Sequence, residues 1–182
     1  MTTVTNPNSG TSIIIEGELA QVAEQLRQVT VQVQSGAGGG SGLIWRSDGL
    51  IVTNAHVARE SAPSIILADG RRFRAKAIAR DPVRDLASFA ISATGLDAAR
   101  LRDPSSLRTG ELVVAVGNPL GSIGALATGI LHASPGPGWV EADIRLAPGN
   151  SGGPLADVEG RVIGLNSRIV NGLAFAVSSQ SN

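Results

Sequence analysis

The stretch APGNSGGPL, residues 147–155, decides how this chain is read. Inside it, Gly149-Asn150-Ser151-Gly152-Gly153 follows the pattern Gly-x-Ser-x-Gly, which can present an exposed, activated serine. A serine hydroxyl is a weak nucleophile at neutral pH and needs an adjacent base, itself oriented by a third group. Two unrelated settings provide this: a sharp strand-to-helix elbow on an α/β sheet, or a loop of a double β-barrel. A plain Gly-rich turn is the third reading.

The order of the partners separates them. In α/β-hydrolases the serine comes first, then the acid, then the histidine. The chain has only two histidines, His56 and His132, and neither follows Ser151. The elbow reading therefore fails. His56 closes the run Ile51–Val57 directly after a predicted strand, whereas His132 reads as a structural or surface residue near the end of another. Between His56 and Ser151, Asp85 heads the alternating run Leu86–Ile91 and is placed to turn inward. Asp81 is followed by Pro82 and reads as a turn cap, and Asp69, Asp97 and Asp103 read as ordinary turn residues. The order His56, Asp85, Ser151 is that of the double-barrel proteases.

The rest of the sequence agrees with a β architecture. Leu19, Val22, Ala23 and Leu26 recur at helical spacing and predict a short helix over 18–28, after a flexible arm over 1–17. Beyond it, short β-rich runs are bounded by Gly, Pro, Asn or Asp. Six fall near 29–34, 42–46, 50–53, 64–67, 71–79 and 86–91. A polar connector over 92–110 follows, then six more near 111–117, 125–131, 138–144, 154–156, 161–166 and 172–177. No long helices alternate with them, so the expectation is an all-β fold of two six-stranded antiparallel β-barrels, one over about 29–91 and one over about 111–177. Asn171-Gly172 signals a tight hairpin. Ser35–Gly42 has neither dinucleotide nor P-loop spacing and reads as a flexible hairpin loop.

Composition narrows the function. In 182 residues there are 15 basic and 15 acidic side chains and no cysteine. Balanced charge argues against a general nucleic-acid or membrane-surface binder, and thiolate chemistry and Cys-based metal sites are excluded. No metal or cofactor is expected. The run Leu112–His132 is almost uncharged, but its glycines and Asn118-Pro119 break any spanning helix, and two strands with a turn explain it better. Arg71, Arg72, Arg74, Lys76, Arg80 and Arg84 read as a solvated face, since no aromatics interleave them for base stacking. No signal peptide is visible at the start; the expectation is cytoplasmic if the chain is complete, periplasmic or extracellular if a leader has been removed.

Several quoted motifs together carry a resemblance. GSGLIW (40–45) followed by DGLIVTNAH (48–56) resembles the histidine region of HtrA/Deg-type trypsin-like serine proteases. DLASFA (85–90) resembles their aspartate strand, Ala142-Asp143 with PGNSGGPL (148–155) their nucleophile loop, and GLAFAV (172–177) their last strand. The likeness spans about 18–178. It implies a bacterial serine endopeptidase acting on unfolded or extended polypeptides, with Ser151 as nucleophile, His56 as base and Asp85 orienting it. Backbone amides of the Gly149-Asn150-Ser151 segment would form the oxyanion hole. Leu146, Ala147 and the neighbouring Ile144 imply an aliphatic P1 pocket, although Arg145 lies where a pocket floor can stand and a buried cation there would select acids. Asn166, Ser167 and Arg168 would pair with substrate backbone. No PDZ domain is recognised, and Asn150 stands where digestive relatives carry aspartate. Trimers are common in the resembling family, and a homo-oligomer through residues 13–28 is an expectation. A catalytically latent peptide-binding module on the same fold is the alternative.

Overall fold

The computed structural model describes residues 9–119, 122–136 and 138–179. Helix α1 (Ser9–Val29) leads into β1 (Thr30–Ser35), β2 (Gly38–Arg46), β3 (Leu50–Thr53), β4 (Ser64–Ile66), β5 (Arg72–Arg74), β6 (Lys76–Asp81) and β7 (Leu86–Ala90). After the connector come β8 (Leu112–Gly117), β9 (Ala125–Gly136), β10 (Trp139–Ile144), β11 (Pro154–Asp157), β12 (Val162–Val170) and β13 (Leu173–Ser178). Among the described residues no helix is long and apolar enough to cross a membrane.

The first half is one antiparallel sheet in the order β5-β4-β1-β2-β3-β7-β6. It has seven strands where six were expected, because the run 71–79 breaks at Ala75, which is only 2% exposed. The two edge strands are thus neighbours in sequence, separated by that one residue. A sheet with its two edges so joined has to curl until they meet. The result is a half-barrel whose closure is a chain connection rather than a hydrogen-bonded ladder, wrapped around Val31, Val33, Ile51, Ile65 and Phe89.

The second half is a closed six-stranded barrel, β10-β13-β12-β11-β8-β9, sealed by the pairing of β9 with β10. Its interior is built from small and aliphatic side chains, including Val113, Ala115, Leu131, Leu155, Ile163, Ala174 and Ala176. With so few aromatic residues in the chain, a tightly wound barrel is what such a core can fill. The last hairpin is paired as far as Val170 and Leu173. The strands expected over 161–166 and 172–177 therefore extend until only Asn171-Gly172 lies between them, whose φ angles of 51° and 86° suit a type I′ turn.

Two other expectations change. Ser35–Gly42 is not a flexible loop: Gly38 to Gly42 pair with β1 within β2. A Cβ at Gly39 would lie 2.3 Å from the Val33 carbonyl oxygen, so the glycines serve close strand packing. The helix begins at Ser9 rather than near residue 18 and takes in much of the segment expected as an arm; residues 1–8 of that arm lie outside the described residues. Once the amphipathic part is docked, each residue added to its end costs little, so the helix propagates past β-branched residues that are poor formers alone.

The helix is the wedge between the halves. Val22, Leu26 and Val29 pack in one cluster with Leu43 of β2 and with Val114, Val116, Ala156 and Val162 of the barrel. Arg27 Nε adds a hydrogen bond to the Gly124 carbonyl at 2.7 Å. The connector is held on the barrel by Arg102, which reaches Glu111 at 2.7 Å and Asp157 at 3.4 Å. Hydrogen bonds from Arg102 and Arg108 hold the Glu111 carboxyl down to about 2. Leu26, 1% exposed, is the centre of the wedge. Leu26→Ala should cost about 2–5 kcal/mol in urea unfolding, the range for a buried leucine truncated to a cavity.

Candidate active site

His56 sits in a tight turn just after β3, where Val57 N–H and Ala58 N–H both donate to the Asn54 carbonyl. That turn is tethered on several sides. The buried Asn54 amide donates to the Asp85 carbonyl at 3.0 Å. Arg80 of β6 donates to the carbonyls of Ala55 (2.8 Å) and Ala58 (2.9 Å), capping groups the turn leaves open much as a cation caps a helix C-terminus. Arg80 is therefore bonded to the histidine turn rather than being part of a freely solvated face. Its neighbour Asp81 accepts from the amides of Val83 and Arg84, both at 3.0 Å, and caps the turn that delivers Asp85. Asp85 adopts φ +57°, a left-handed conformation that aspartate tolerates better than most residues.

His56 and Asp85 meet directly. The carboxylate lies 2.8 Å (Oδ2) and 3.0 Å (Oδ1) from His56 Nδ1, and Oδ1 also accepts from the His56 amide at 3.1 Å. The hydroxyl of Ser167 donates to Oδ2 at 2.6 Å. With a carboxylate as partner, Nδ1 is the protonated nitrogen and Nε2 is left as the acceptor. Burial pushes the Asp85 carboxyl up, but the hydrogen bonds from the His56 ring, the Ser167 hydroxyl and the His56 amide outweigh it and hold it below the ordinary aspartate value.

Ser151 shares a cavity of about 520 Å³ with His56, lined also by Gly38, Gly39 and Gly149. In this structure its hydroxyl donates to the Ser167 carbonyl at 3.0 Å, and no hydrogen bond joins it to His56. Histidine, aspartate and serine are thus linked through Ser167: its hydroxyl serves Asp85 and its carbonyl holds Ser151. A register shift between Asn166 and Arg168 makes Ser167 the extra residue of a β-bulge, which explains how one residue serves both.

The loop around Ser151 depends on two glycines. Gly149 has φ +106°, and a Cβ there would lie 2.5 Å from the Asn118 carbonyl oxygen. Gly152 has φ +83°, and its Cβ would meet the Ser41 carbonyl oxygen at 2.1 Å. Among the described residues the amides of Gly149 and Ser151 meet no acceptor, whereas the Asn150 amide is already given to the Ala147 carbonyl at 3.0 Å. Ser41, which had no role in the sequence reading, binds this loop twice. Its amide donates to the Ser151 carbonyl at 2.8 Å, and its hydroxyl donates to the Gly149 carbonyl at 2.7 Å.

On its other side Ser151 lines a second cavity, of about 290 Å³, walled by Leu146, Ala147, Pro148, Asn166, Ser167, Arg168 and Ile169. Arg145 lines neither cavity. It follows the inward-facing Ile144 at the end of β10, so strand alternation turns it to solvent. Among the described residues no group of three or more His, Cys, Asp or Glu is arranged to hold a metal ion.

Removing the Ser167 hydroxyl should raise the Asp85 titration in carbon-13 spectra of Ser167→Ala. The stability lost, about 1 kcal/mol given the partial exposure of Asp85, should be fully present above the unfolded aspartate value near 3.8. It should fade as pH falls through the lower folded value, because only the ionised carboxylate gains from that bond.

Comparison with known proteins places this geometry. Residues 40–165 match the trypsin-like peptidase domain family. A protein of Ectopseudomonas mendocina (strain ymp) named "Probable periplasmic serine endoprotease DegP-like" is 37% identical over 152 residues, covering 76% of this chain and 32% of the relative. A protein of the same name from Chlamydia muridarum (strain MoPn / Nigg) is 35% identical over 155 residues, covering 77% and 31%. The chain thus spans about a third of the length of these relatives. A solved structure titled "HtrA-type protease AlgW with decapeptide" superposes with a TM-score of 0.80 at 25% identity, covering 89% of this chain and 64% of that one. A match over most of the length, on a fold and a serine–histidine cavity of this kind, settles the family: the chain belongs to the trypsin-like peptidases.

Proposed function

We propose that the chain is a serine endopeptidase of the HtrA/DegP type, with Ser151 as nucleophile, His56 as general base and Asp85 as the group that orients it. The observation that carries this reading is the His56–Asp85 contact at 2.8 Å beside a cavity that Ser151 also lines. The chemistry requires that rotation about the Ser151 Cα–Cβ bond exchange the Ser167 carbonyl for His56 Nε2 as the acceptor. Nε2 then takes the hydroxyl proton as Oγ attacks the peptide carbonyl, and returns it to the leaving amine so that the acyl-enzyme forms. A water activated in the same way releases the acid. The Gly149 and Ser151 amides, with no acceptor of their own, suit the developing oxyanion.

Leu146, Ala147 and Ile169 favour an aliphatic P1 side chain in the smaller cavity. Among the described residues β12 pairs beyond Asn166 only with β13, and its other edge accepts an extended polypeptide as an added strand. Substrates are accordingly unfolded or extended chains. The names of the relatives favour the periplasm as the compartment.

One observation supports the second reading, a latent peptide-binding module: the Ser151 hydroxyl is engaged with Ser167 rather than His56. A fluorophosphonate probe separates the two. Labelling of Ser151 together with casein degradation supports the enzyme, and an unlabelled chain that still binds peptides supports the module. In the enzyme, Ser151→Ala should lower turnover roughly 10⁴- to 10⁶-fold and abolish labelling. A peptide library should show cleavage after Val, Ala or Leu, and a profile dominated by Asp or Glu at P1 would refute the aliphatic assignment.

A further inference from the structure

The wall of the smaller cavity carries one cation whose placement neither the fold nor the proposed chemistry requires. Arg168 is exposed and stands across from Phe175 on β13. The bulge at Ser167 puts it there, since residues directly opposite in a ladder share a face. Its guanidinium carbon lies 4.5 Å from the centre of the Trp139 ring and 5.9 Å from that of Phe175. The two rings meet edge to face, with centroids 6.4 Å apart, and so form a corner that receives the cation.

A guanidinium held over a ring has N–H groups left to offer on the sides away from it, in the fork that matches a carboxylate. Among the described residues no carboxylate takes that fork. Glu141, which lies in the same row across Phe175, makes no ion pair with it. Stacking has also removed much of the rotamer freedom a long side chain loses on binding an anion. Trp139 and Phe175 do not line the cavity beside Ser151, whereas Arg168 does. The charged group is therefore held at the rim, past the apolar P1 walls.

We propose that Arg168 binds an acidic side chain of the polypeptide substrate, on one of the three residues that precede P1. This rests on the peptidase reading above and adds a substrate class to it: extended segments with Asp or Glu shortly before an aliphatic cleavage residue.

Paired fluorogenic peptides differing only by Glu against Gln at each of those three positions test it with the full chain. At one position the wild type should cleave the Glu peptide about three- to tenfold better in kcat/KM, mostly through KM, as expected for a partly exposed ion pair. That ratio should shrink with added salt. In Arg168→Leu it should fall to about one, and Arg168→Glu should prefer Lys to Gln at the same position. The ratio is the readout, so a general loss of rate in either variant does not blur it. Equal cleavage of Glu and Gln peptides by the wild type, or a ratio that survives Arg168→Leu, overturns the assignment. If no peptide is cleaved and Ser151 takes no probe, the peptidase reading has failed. Binding of the same pairs to Ser151→Ala, read by fluorescence anisotropy, then still decides the role of Arg168.

Discussion

The contact on which the site depends is the seam at Ser41. This residue belongs to the first sheet, is completely buried, and holds the second barrel's nucleophile loop by its backbone and its side chain. Its hydroxyl also accepts from the Asn118 amide at 2.9 Å, and its carbonyl accepts from Thr53 Oγ at 2.6 Å. Every polar group of Ser41 is thus paired, its amide and hydroxyl across the seam and its carbonyl within the first sheet. Buried polar groups of this kind cost heavily when left unpaired, so the halves have one register in which the cost is met. His56 comes from one side of that seam and Ser151 from the other, and their shared cavity is a product of this docking.

Close backbone packing explains why the nucleophile loop is so rich in glycine. Ser41, Thr53 and Asn118 crowd the backbone of residues 149–153 closely enough that a side chain at Gly149 or Gly152 would overlap main-chain oxygen. At Gly152 the pattern that first suggested an exposed serine is the imprint of the first sheet pressed against the barrel, and at Gly149 it is that of the barrel's own Asn118. On the first sheet, Arg80 and Asp81 perform a related task at the end of one strand. Opposite in charge and adjacent in sequence, they cap the turn bearing His56 and the turn bearing Asp85.

What the residues disclosed in advance, and what they withheld, divides along the range of the interactions. Local patterns were legible: strand runs bounded by turn residues, the Asn171-Gly172 hairpin, and the chain order of His56, Asp85 and Ser151. Features set by distant partners were not. The break at Ala75 depends on where the sheet edges meet, and the pairing of Gly38–Gly42 depends on β1. The use of Ser167 by both Asp85 and Ser151 arises from a bulge that no local signal marks. Arg80 looks like its neighbours in a basic run and is distinguished only by the carbonyls within its reach. In sequence Arg145 reads as a candidate pocket floor and Arg168 as a partner of substrate backbone, and strand alternation and the bulge turn their side chains to surroundings that neither reading specifies.

Helix α1 has a consequence for how the molecule comes into being. It precedes the strands in sequence, yet the surfaces that bury Val22, Leu26 and Val29 come from β2 and from strands as late as β12. During synthesis the helix therefore emerges before the strands that seat it and has no complete seat until β12 has been made. Until then its apolar face stays unsheltered, and the lock between the two halves forms only once β12 is in place.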